Sequence, residues 1–136
     1  MNYLKLFSTA VVILLLMGCD EKVTETNSEK IKFLTAGIWE ISGDTEVGQV
    51  GAQLRFYVDG KAQVRENANS NWLPDYLQWS ISDDGEEFTM NGTDGPGTFD
   101  KIKILELTNS VCRGRIISSS SSSAINKIIK MFKTQL

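Results

Sequence analysis

Residues 54–65 read LRFYVDGKAQVR, and this stretch decides the fold. Apolar residues alternate with polar or amphipathic ones on both sides of Asp59-Gly60. Because successive side chains of a β-strand point to opposite faces, each half of the stretch presents one apolar face. Asp-Gly supplies the positive φ angles of a tight hairpin turn. The stretch therefore predicts two antiparallel strands, with Leu54, Phe56, Val58, Ala62 and Val64 directed inward.

The same pattern recurs along the chain from residue 38 to residue 117. Short runs rich in β-branched and aromatic residues alternate with turn signals such as Asp83-Asp84-Gly85 and Thr108-Asn109-Ser110. After Ile104 the apolar residues change parity, which predicts either a bulge in a long strand or a strand that crosses between two environments. Short connections make each strand pair with the next, and an open sheet of about seven or eight strands would expose its edges. We expect an all-β fold, an antiparallel up-and-down meander that closes into a small barrel or half-barrel.

The end of the chain has a different pattern. A run of serines fills positions 118–123, and the apolar residues that follow fall at helical spacing: Ile125, Ile128, Ile129, Phe132 and Leu136. Residues 118–136 are therefore predicted to be a Ser-rich linker and a C-terminal amphipathic helix. Two positions for this helix remain open, against the barrel wall or on an anionic membrane.

Composition excludes several classes of function. The chain has 136 residues, 14 Lys and Arg against 17 Asp and Glu, and no His. This length fits one domain, the acidic balance argues against a nucleic-acid binder, and the lack of His excludes His-based nucleophiles and metal sites. The acids beside Gly are typical turn residues: Asp59, Asp83, Asp84 and Asp94. We expect no catalytic residue, metal or cofactor, with a carboxylate hydrolase as a distant alternative.

The N-terminus predicts a location. Lys5 precedes an apolar run from residue 6 to residue 17, which as a helix would span roughly 18 Å, too short for a bilayer core of about 30 Å. Leu16-Met17-Gly18-Cys19 then resembles the lipobox of bacterial lipoproteins. The resemblance implies a signal peptide over 1–18, cleavage before Cys19 and acylation of the Cys19 sulfur. The alternative is a buried apolar helix with an inert Cys.

The resemblance also implies where the mature protein resides. It would be a lipid-anchored protein of the cell membrane that faces the periplasm or the extracellular side. Asp20, directly after the Cys, resembles the signal for inner-membrane retention in Gram-negative enterobacteria. Residues 19–32 comprise the lipidated Cys and a polar stretch, which predicts a flexible tether.

A second resemblance covers residues 33–117. Gly37-Ile38-Trp39 is similar to the Gly-x-Trp opening of the lipocalin or calycin group. Three further features occur in the order seen in short lipocalin-like domains of bacterial lipoproteins, namely Val58-Asp59-Gly60, Trp79-Ser80-Ile81 and Ile104-Leu105-Glu106-Leu107-Thr108. The resemblance implies a lipocalin-like barrel in which Trp39 packs at the closed end against Arg113 or Arg115. The longer loops of full-length lipocalins are missing, which argues against a roomy ligand cavity.

One loop carries candidate contact residues. Residues 71–76 read NWLPDY. Trp72, Leu73 and Tyr76 therefore lie in a predicted loop, although loop residues are usually polar. The loop either folds over the barrel end as a plug or contacts a ligand or partner, since Trp and Tyr dominate binding hot spots. Cys112 lies in an apolar run and is expected to be a buried, inert thiol without a disulfide partner.

These features together predict a non-catalytic module. The leading hypothesis is a membrane-anchored lipoprotein whose barrel binds a small apolar ligand or an envelope protein. The alternative is an inhibitor, immunity or exclusion-type lipoprotein that acts by protein contact without a small ligand. A barrel interior filled by large side chains would favour the protein partner, and an open apolar cup beneath Trp72 would favour the ligand. The sequence indicates no oligomeric state.

Overall fold

The computed structural model describes residues 27–91 and 100–135. In these residues eight antiparallel strands pair in chain order, and the last pairs with the first, so the barrel is closed. The strands are β1 (Ile38–Ile41), β2 (Gln53–Phe56), β3 (Lys61–Arg65), β4 (Leu77–Ile81), β5 (Glu87–Asn91), β6 (Lys101–Leu107), β7 (Val111–Ser118) and β8 (Ile128–Lys133). The chain also contains helix α1 (Asn27–Thr35) and a 3-10 turn (Ser122–Ala124). The predicted all-β meander is confirmed as a closed barrel.

Several predictions lie outside the described residues. These are the signal peptide over 1–18, the Cys19 lipidation site, the retention signal at Asp20 and the turn acid Asp94. Among the residues that are described, no helix has the length and apolar character needed to cross a bilayer.

The hairpin of residues 54–65 forms as predicted, with one correction at its tip. Leu54 pairs with Val64 and Phe56 pairs with Ala62. The Tyr57 N–H donates to the Lys61 carbonyl at 2.8 Å, so the turn contains three residues and its last, Gly60, has a φ of 84°. A three-residue hairpin loop of this kind needs a left-handed residue at its end, which Gly adopts without strain. Val58 was predicted to point inward but lies in this turn, where it is 80% exposed.

The predicted bulge in the long strand is confirmed. The register of β6 against β7 shifts between Ile104 and Glu106. The shift leaves Leu105 exposed and returns Leu107 to the buried side. The bulge therefore explains why the apolar parity changes within one strand.

The predicted C-terminal helix is wrong, because this segment forms β8. Ile129 and Met131 are buried in the barrel, whereas Phe132 faces outward. The strand pairs with β7 on one side and with β1 on the other. Without it, β1 and β7 would both carry unpaired backbone N–H and C=O groups. Pairing with β1 and β7 therefore determines the conformation of this segment despite its helical spacing. Because residues 128–133 form a strand, neither position considered for a helix, against the barrel wall or on a membrane, applies.

Helix α1 occupies the end of the predicted tether. The Asn27 side-chain amide donates to the carbonyls of Ser82 and Asp83 at 3.0 and 2.7 Å. The Lys30 ammonium donates to the Gly85 carbonyl at 2.7 Å, and Leu34 is buried in the core. The helix thus lies against the turn between β4 and β5 at one barrel end. Residues 27–32 are therefore helical, whereas they were predicted to be part of a flexible tether.

Large side chains occupy the barrel interior. The Phe56 ring makes edge contacts with Trp79 and Phe88, with centroids 5.6 and 5.5 Å apart. The largest fully buried side chains are Trp39, Phe56, Phe88, Leu34, Ile41, Leu54, Ile102, Ile116, Ile129 and Met131. Their burial supplies the main stabilisation of a chain whose one described Cys forms no disulfide.

Candidate functional site

Trp72 lies on the outside of the barrel. Its ring centroid is 4.6 Å from the guanidinium carbon of Arg55 and 4.5 Å from that of Arg65. Arg55 in β2 and Arg65 in β3 alternate with inward apolar residues, so both point to the outer face. The Trp72 ring therefore packs on the outer wall of the barrel rather than over its end. Cation–π contacts with the two arginines hold the indole on this wall.

Leu73 is held beside β3 through its backbone. Its N–H donates to the Val64 carbonyl at 2.9 Å, and its carbonyl accepts a longer bond of 3.4 Å from the Gln63 amide. The side chain stays 40% exposed. Because β4 pairs with β3 only through Ala62 and Lys61, this bond satisfies a strand edge that would otherwise be open.

Tyr76 completes the set of predicted contact residues. Its ring lies 6.0 Å from that of Tyr57, and the Lys61 ammonium lies 5.4 Å from its centroid. The Tyr57 hydroxyl donates to the Gln63 side chain at 2.7 Å. The structure thus brings the three predicted residues to one surface. We call it the β2–β3 wall, formed by Arg55, Tyr57, Lys61, Gln63, Arg65, Trp72, Leu73 and Tyr76.

A polar row that the sequence analysis missed supports this wall. Gln53 donates to a Glu40 carboxylate oxygen at 2.7 Å and accepts from Arg65 Nε and Nη2 at 2.9 and 2.6 Å. Gln53 faces Glu40 on one side and Arg65 on the other in the strand register. Although Gln53 points outward it is buried, so its side-chain amide is shielded from water, whereas Glu40 and Arg65 are partly exposed. Its only sequence signal is a Gln next to the first inward Leu of β2.

A shallow pocket adjoins the wall. It has a volume of about 180 Å³ and is lined by Thr35, Gly37, Ile38, Arg55, Phe56 and Tyr57. Arg55 therefore belongs both to the pocket lining and to the stack on Trp72. The pocket is open, and a single guanidinium supplies its positive charge.

The charges of the wall differ from those on the opposite side of the barrel. There, three cations lie within 4 Å of a carboxylate: Lys101 by Glu87, Lys103 by Glu86, and Arg113 by Glu106. Within residues 27–91 and 100–135, neither Arg55 nor Arg65 has a carboxylate at ion-pair distance. Arg65 is satisfied by Gln53, so Arg55 is the cation of the wall that lacks a polar partner there.

The predicted cation partner of Trp39 is wrong. The cation over this ring is Lys133, 5.1 Å from its centroid, and not Arg113 or Arg115. Trp39 pairs in register with Lys133 on β8, whereas both arginines face outward from β7. The indole N–H donates to the Leu34 carbonyl at 2.8 Å, which links the ring to helix α1.

The other candidate groups have structural roles. Cys112 is buried as predicted, and burial raises the pKa of its thiol to about 12. Asp84 accepts hydrogen bonds from Ser82 and the Glu86 N–H, which lowers the pKa of its carboxyl, and Asp59 accepts from the Lys61 N–H. In the described part of the chain, no three Asp, Glu or Cys side chains are grouped to hold a metal ion.

We compared the chain with protein-family models, with curated proteins and with solved structures, and none of the three comparisons found a match.

Proposed function

We propose that the chain is a lipid-anchored lipoprotein of the bacterial cell envelope, with a non-catalytic, lipocalin-like barrel that contacts another envelope protein. This corresponds to an inhibitor, immunity or exclusion-type role. The observation that carries the proposal is the combination of a packed interior with an outer wall rich in Trp, Tyr and Arg.

Three features support the lipocalin-like part of the proposal. The barrel is up-and-down, antiparallel and closed by pairing of β1 with β8. A helix lies at one end, and the tryptophan of Gly37-Ile38-Trp39 is buried there beneath a late-strand cation. The cation is Lys133 where the resemblance implies Arg, and both residue types form cation–π contacts.

The dimensions of the pocket favour a protein partner over a small ligand. Small-molecule sites usually measure about 300–1,000 Å³ and enclose most of the ligand. The pocket beside Arg55 measures about 180 Å³ and is open to one side. It suits one side chain of a partner better than a complete apolar ligand.

The composition of the β2–β3 wall supports contact with a protein. Trp, Tyr and Arg are the residues that most often dominate the energy of protein interfaces. The wall contains one Trp, two Tyr and two Arg, and Leu73 lies half-exposed at its border. The stacked rings and guanidiniums are already ordered, so binding would require little further loss of side-chain entropy.

The proposed anchor would orient the barrel. The chain between Cys19 and Asn27 reaches less than about 30 Å even when fully extended. Asn27 is bonded to the turn between β4 and β5, so the α1 end of the barrel would remain near the bilayer. The β2–β3 wall would then face sideways, toward neighbouring membrane proteins.

Photocrosslinking in native membranes tests the proposal. A photoreactive amino acid replaces Leu73 on the wall, and the matched control replaces Ile117, a β7 residue of similar exposure at 38% against 40%. We expect a discrete protein adduct from position 73 only, and a weaker adduct when Cys19→Ser removes the anchor. Absence of an adduct from position 73, or the same adducts from both positions, would refute the proposed contact.

A further inference from the structure

We propose that the β2–β3 wall recognises an acidic segment of its protein partner. In this arrangement a partner carboxylate binds the Arg55 guanidinium, and a neighbouring apolar side chain enters the pocket beside Ile38 and Tyr57. The inference rests on the proposed function and specifies the chemistry of the partner.

Arg55 is the proposed carboxylate-binding residue because its guanidinium is held against Trp72 and has no acidic partner in the described part of the chain. Its guanidinium lies 4.6 Å from the Trp72 centroid, so one flat face is covered by the indole. Stacking of this kind leaves the in-plane N–H donors at the edge of the group, where they match a carboxylate in a bidentate pair. Among residues 27–91 and 100–135, no carboxylate lies within ion-pair distance of Arg55.

Arg65 has a different role on the same surface. Its Nε and Nη2 groups both donate to Gln53, whose amide is in turn bonded to Glu40. These bonds fix Arg65 beneath Trp72 and occupy two of its five donors. Arg65 therefore holds the indole in place and adds positive potential, while Arg55 provides the free donors.

The pocket supplies the second point of recognition. Arg55 lines it together with Ile38 and Tyr57, so an apolar group can lie next to a bound carboxylate. In an extended segment, side chains two residues apart point to the same face at a spacing of about 7 Å. A partner segment with an acid and an apolar residue at that spacing matches both features at once.

Charge favours an acidic peptide over an anionic lipid surface. The chain as a whole has a formal charge of −3, and the acids Glu40, Asp59 and Glu66 occur around the wall. A membrane presents an extended plane of negative charge that these acids would repel. A peptide carboxylate interacts locally with Arg55, because charges beyond about 8 Å are screened at physiological ionic strength.

Fluorescence anisotropy of the full-length protein in a neutral detergent tests the inference. The probe is a labelled peptide of Glu-Ser-Leu-Ser repeats, and its control has Gln in place of Glu. We expect the Glu peptide to bind, the Gln peptide to bind weakly, and Arg55→Gln to reduce affinity about tenfold through loss of a charge-assisted pair.

The charge-matched control is Arg115→Gln. Arg115 is exposed on β7 and makes one long bond to the Asn126 carbonyl, so its loss changes net charge equally without affecting the wall. We expect it to retain wild-type affinity. Equal losses in the two variants, or no binding of the Glu peptide to the wild type, would overturn the inference.

Vesicles of phosphatidylglycerol provide the last comparison. Competition by these vesicles that depends on Arg55 would assign the site to a lipid headgroup and overturn the peptide inference. The Leu73 crosslink distinguishes the proposed protein contact from the proposed recognition of an acidic segment. A crosslink without Glu-peptide binding leaves the protein contact standing and rejects the acidic segment, whereas loss of the crosslink rejects the contact itself.

Discussion

Lys133 and Trp39 meet where the last strand of the barrel joins the first. The two residues are register partners, and the Lys133 ammonium lies 5.1 Å from the indole centroid and donates to Asn109 Oδ1 at 2.7 Å. A Cβ atom at Gly37 would come within 3.1 Å of the Lys133 side chain. Gly37 therefore leaves room for the lysine stem, and Trp39 provides the surface on which it lies. Partial burial lowers the pKa of Lys133 from its ordinary value.

The first prediction concerns this pair. Trp39→Ala should reduce the free energy of unfolding by about 3–5 kcal/mol, because it removes a large, fully buried aromatic side chain. Lys133→Met should cost about 1 kcal/mol, since it retains an apolar stem but removes the cation–π contact. Urea unfolding of each variant measures both values, with Lys133→Arg as the control expected to remain near wild type. A loss below about 1 kcal/mol for Trp39→Ala would contradict the buried position of the ring.

The second prediction distinguishes the observed strand from a helix at the C-terminus. Ile129 is 1% exposed inside the barrel and Phe132 is 39% exposed on its outer face. Ile129→Asp should destabilise the protein by about 3 kcal/mol or more, because it replaces core packing with an unpaired charge. Phe132→Asp should cost about 1 kcal/mol or less. Residues three apart share a helix face, so equal and large losses from both variants in thermal unfolding would argue for a helix.

The third prediction concerns a glycine in the barrel interior. A Cβ atom at Gly114 in β7 would lie 2.5 Å from Ile102 Cδ1 and 3.0 Å from the Lys103 carbonyl oxygen. Gly114→Ala should therefore reduce the free energy of unfolding by about 1–3 kcal/mol through overpacking. Gly43→Ala is the matched control, because the nearest side-chain atom there is 3.9 Å from the added methyl group. Chemical denaturation should leave the control near wild type.

The fourth prediction links Cys112 to pH. Burial raises the pKa of its thiol from 9.0 to about 12. A pKa that is higher in the folded state contributes stability below the unfolded pKa, and this contribution is lost as the pH rises from 9.0 toward 12. In a Cys19→Ser background, a thiol reagent at about pH 8 should label Cys112 only as fast as the protein unfolds.

The control for this experiment is Cys112→Ala, which lacks the titrating thiol. Its unfolding free energy should fall less steeply above pH 9.0 than that of the parent. Rapid labelling of the folded protein, or identical pH dependence with and without the thiol, would contradict the buried assignment.

The fifth prediction tests the proposed anchor. Cys19→Ser should abolish acylation and leave unprocessed precursor, because a hydroxyl does not replace the thiol as the acylated group. Metabolic labelling with a fatty-acid analogue and the mass of the product measure both effects. Recovery of processed, membrane-bound protein from the variant would refute the lipoprotein assignment.

Local patterns were sufficient to predict most of the strands. The alternation around Asp59-Gly60 predicted the hairpin because side-chain parity and turn chemistry act between near neighbours. The change of parity after Ile104 predicted the bulge for the same reason. Val58 was misplaced because its position depends on whether the turn contains two residues or three, and an Asp-Gly pair is compatible with both.

The candidate site was predicted only as a set of residues. The aromatic character of residues 71–76 identified Trp72, Leu73 and Tyr76, but their position on the outer wall depends on contacts with Arg55, Arg65 and Tyr57. Gln53 carried no distinctive local signal, since its role arises from the register that places it between Glu40 and Arg65. Such contacts join separate strands and cannot be seen in the spacing of one segment.

The sequence by itself determined the order of the strands, the antiparallel meander and the burial of Trp39 and Cys112, because these follow from local periodicity and side-chain polarity. Only the tertiary structure decided the conformation of residues 128–133. Their apolar residues fit a helix as well as a strand, and the outcome depended on the unpaired edges of β1 and β7, which are remote in sequence. A strand satisfies both edges and places Lys133 over Trp39, whereas a helix would satisfy neither.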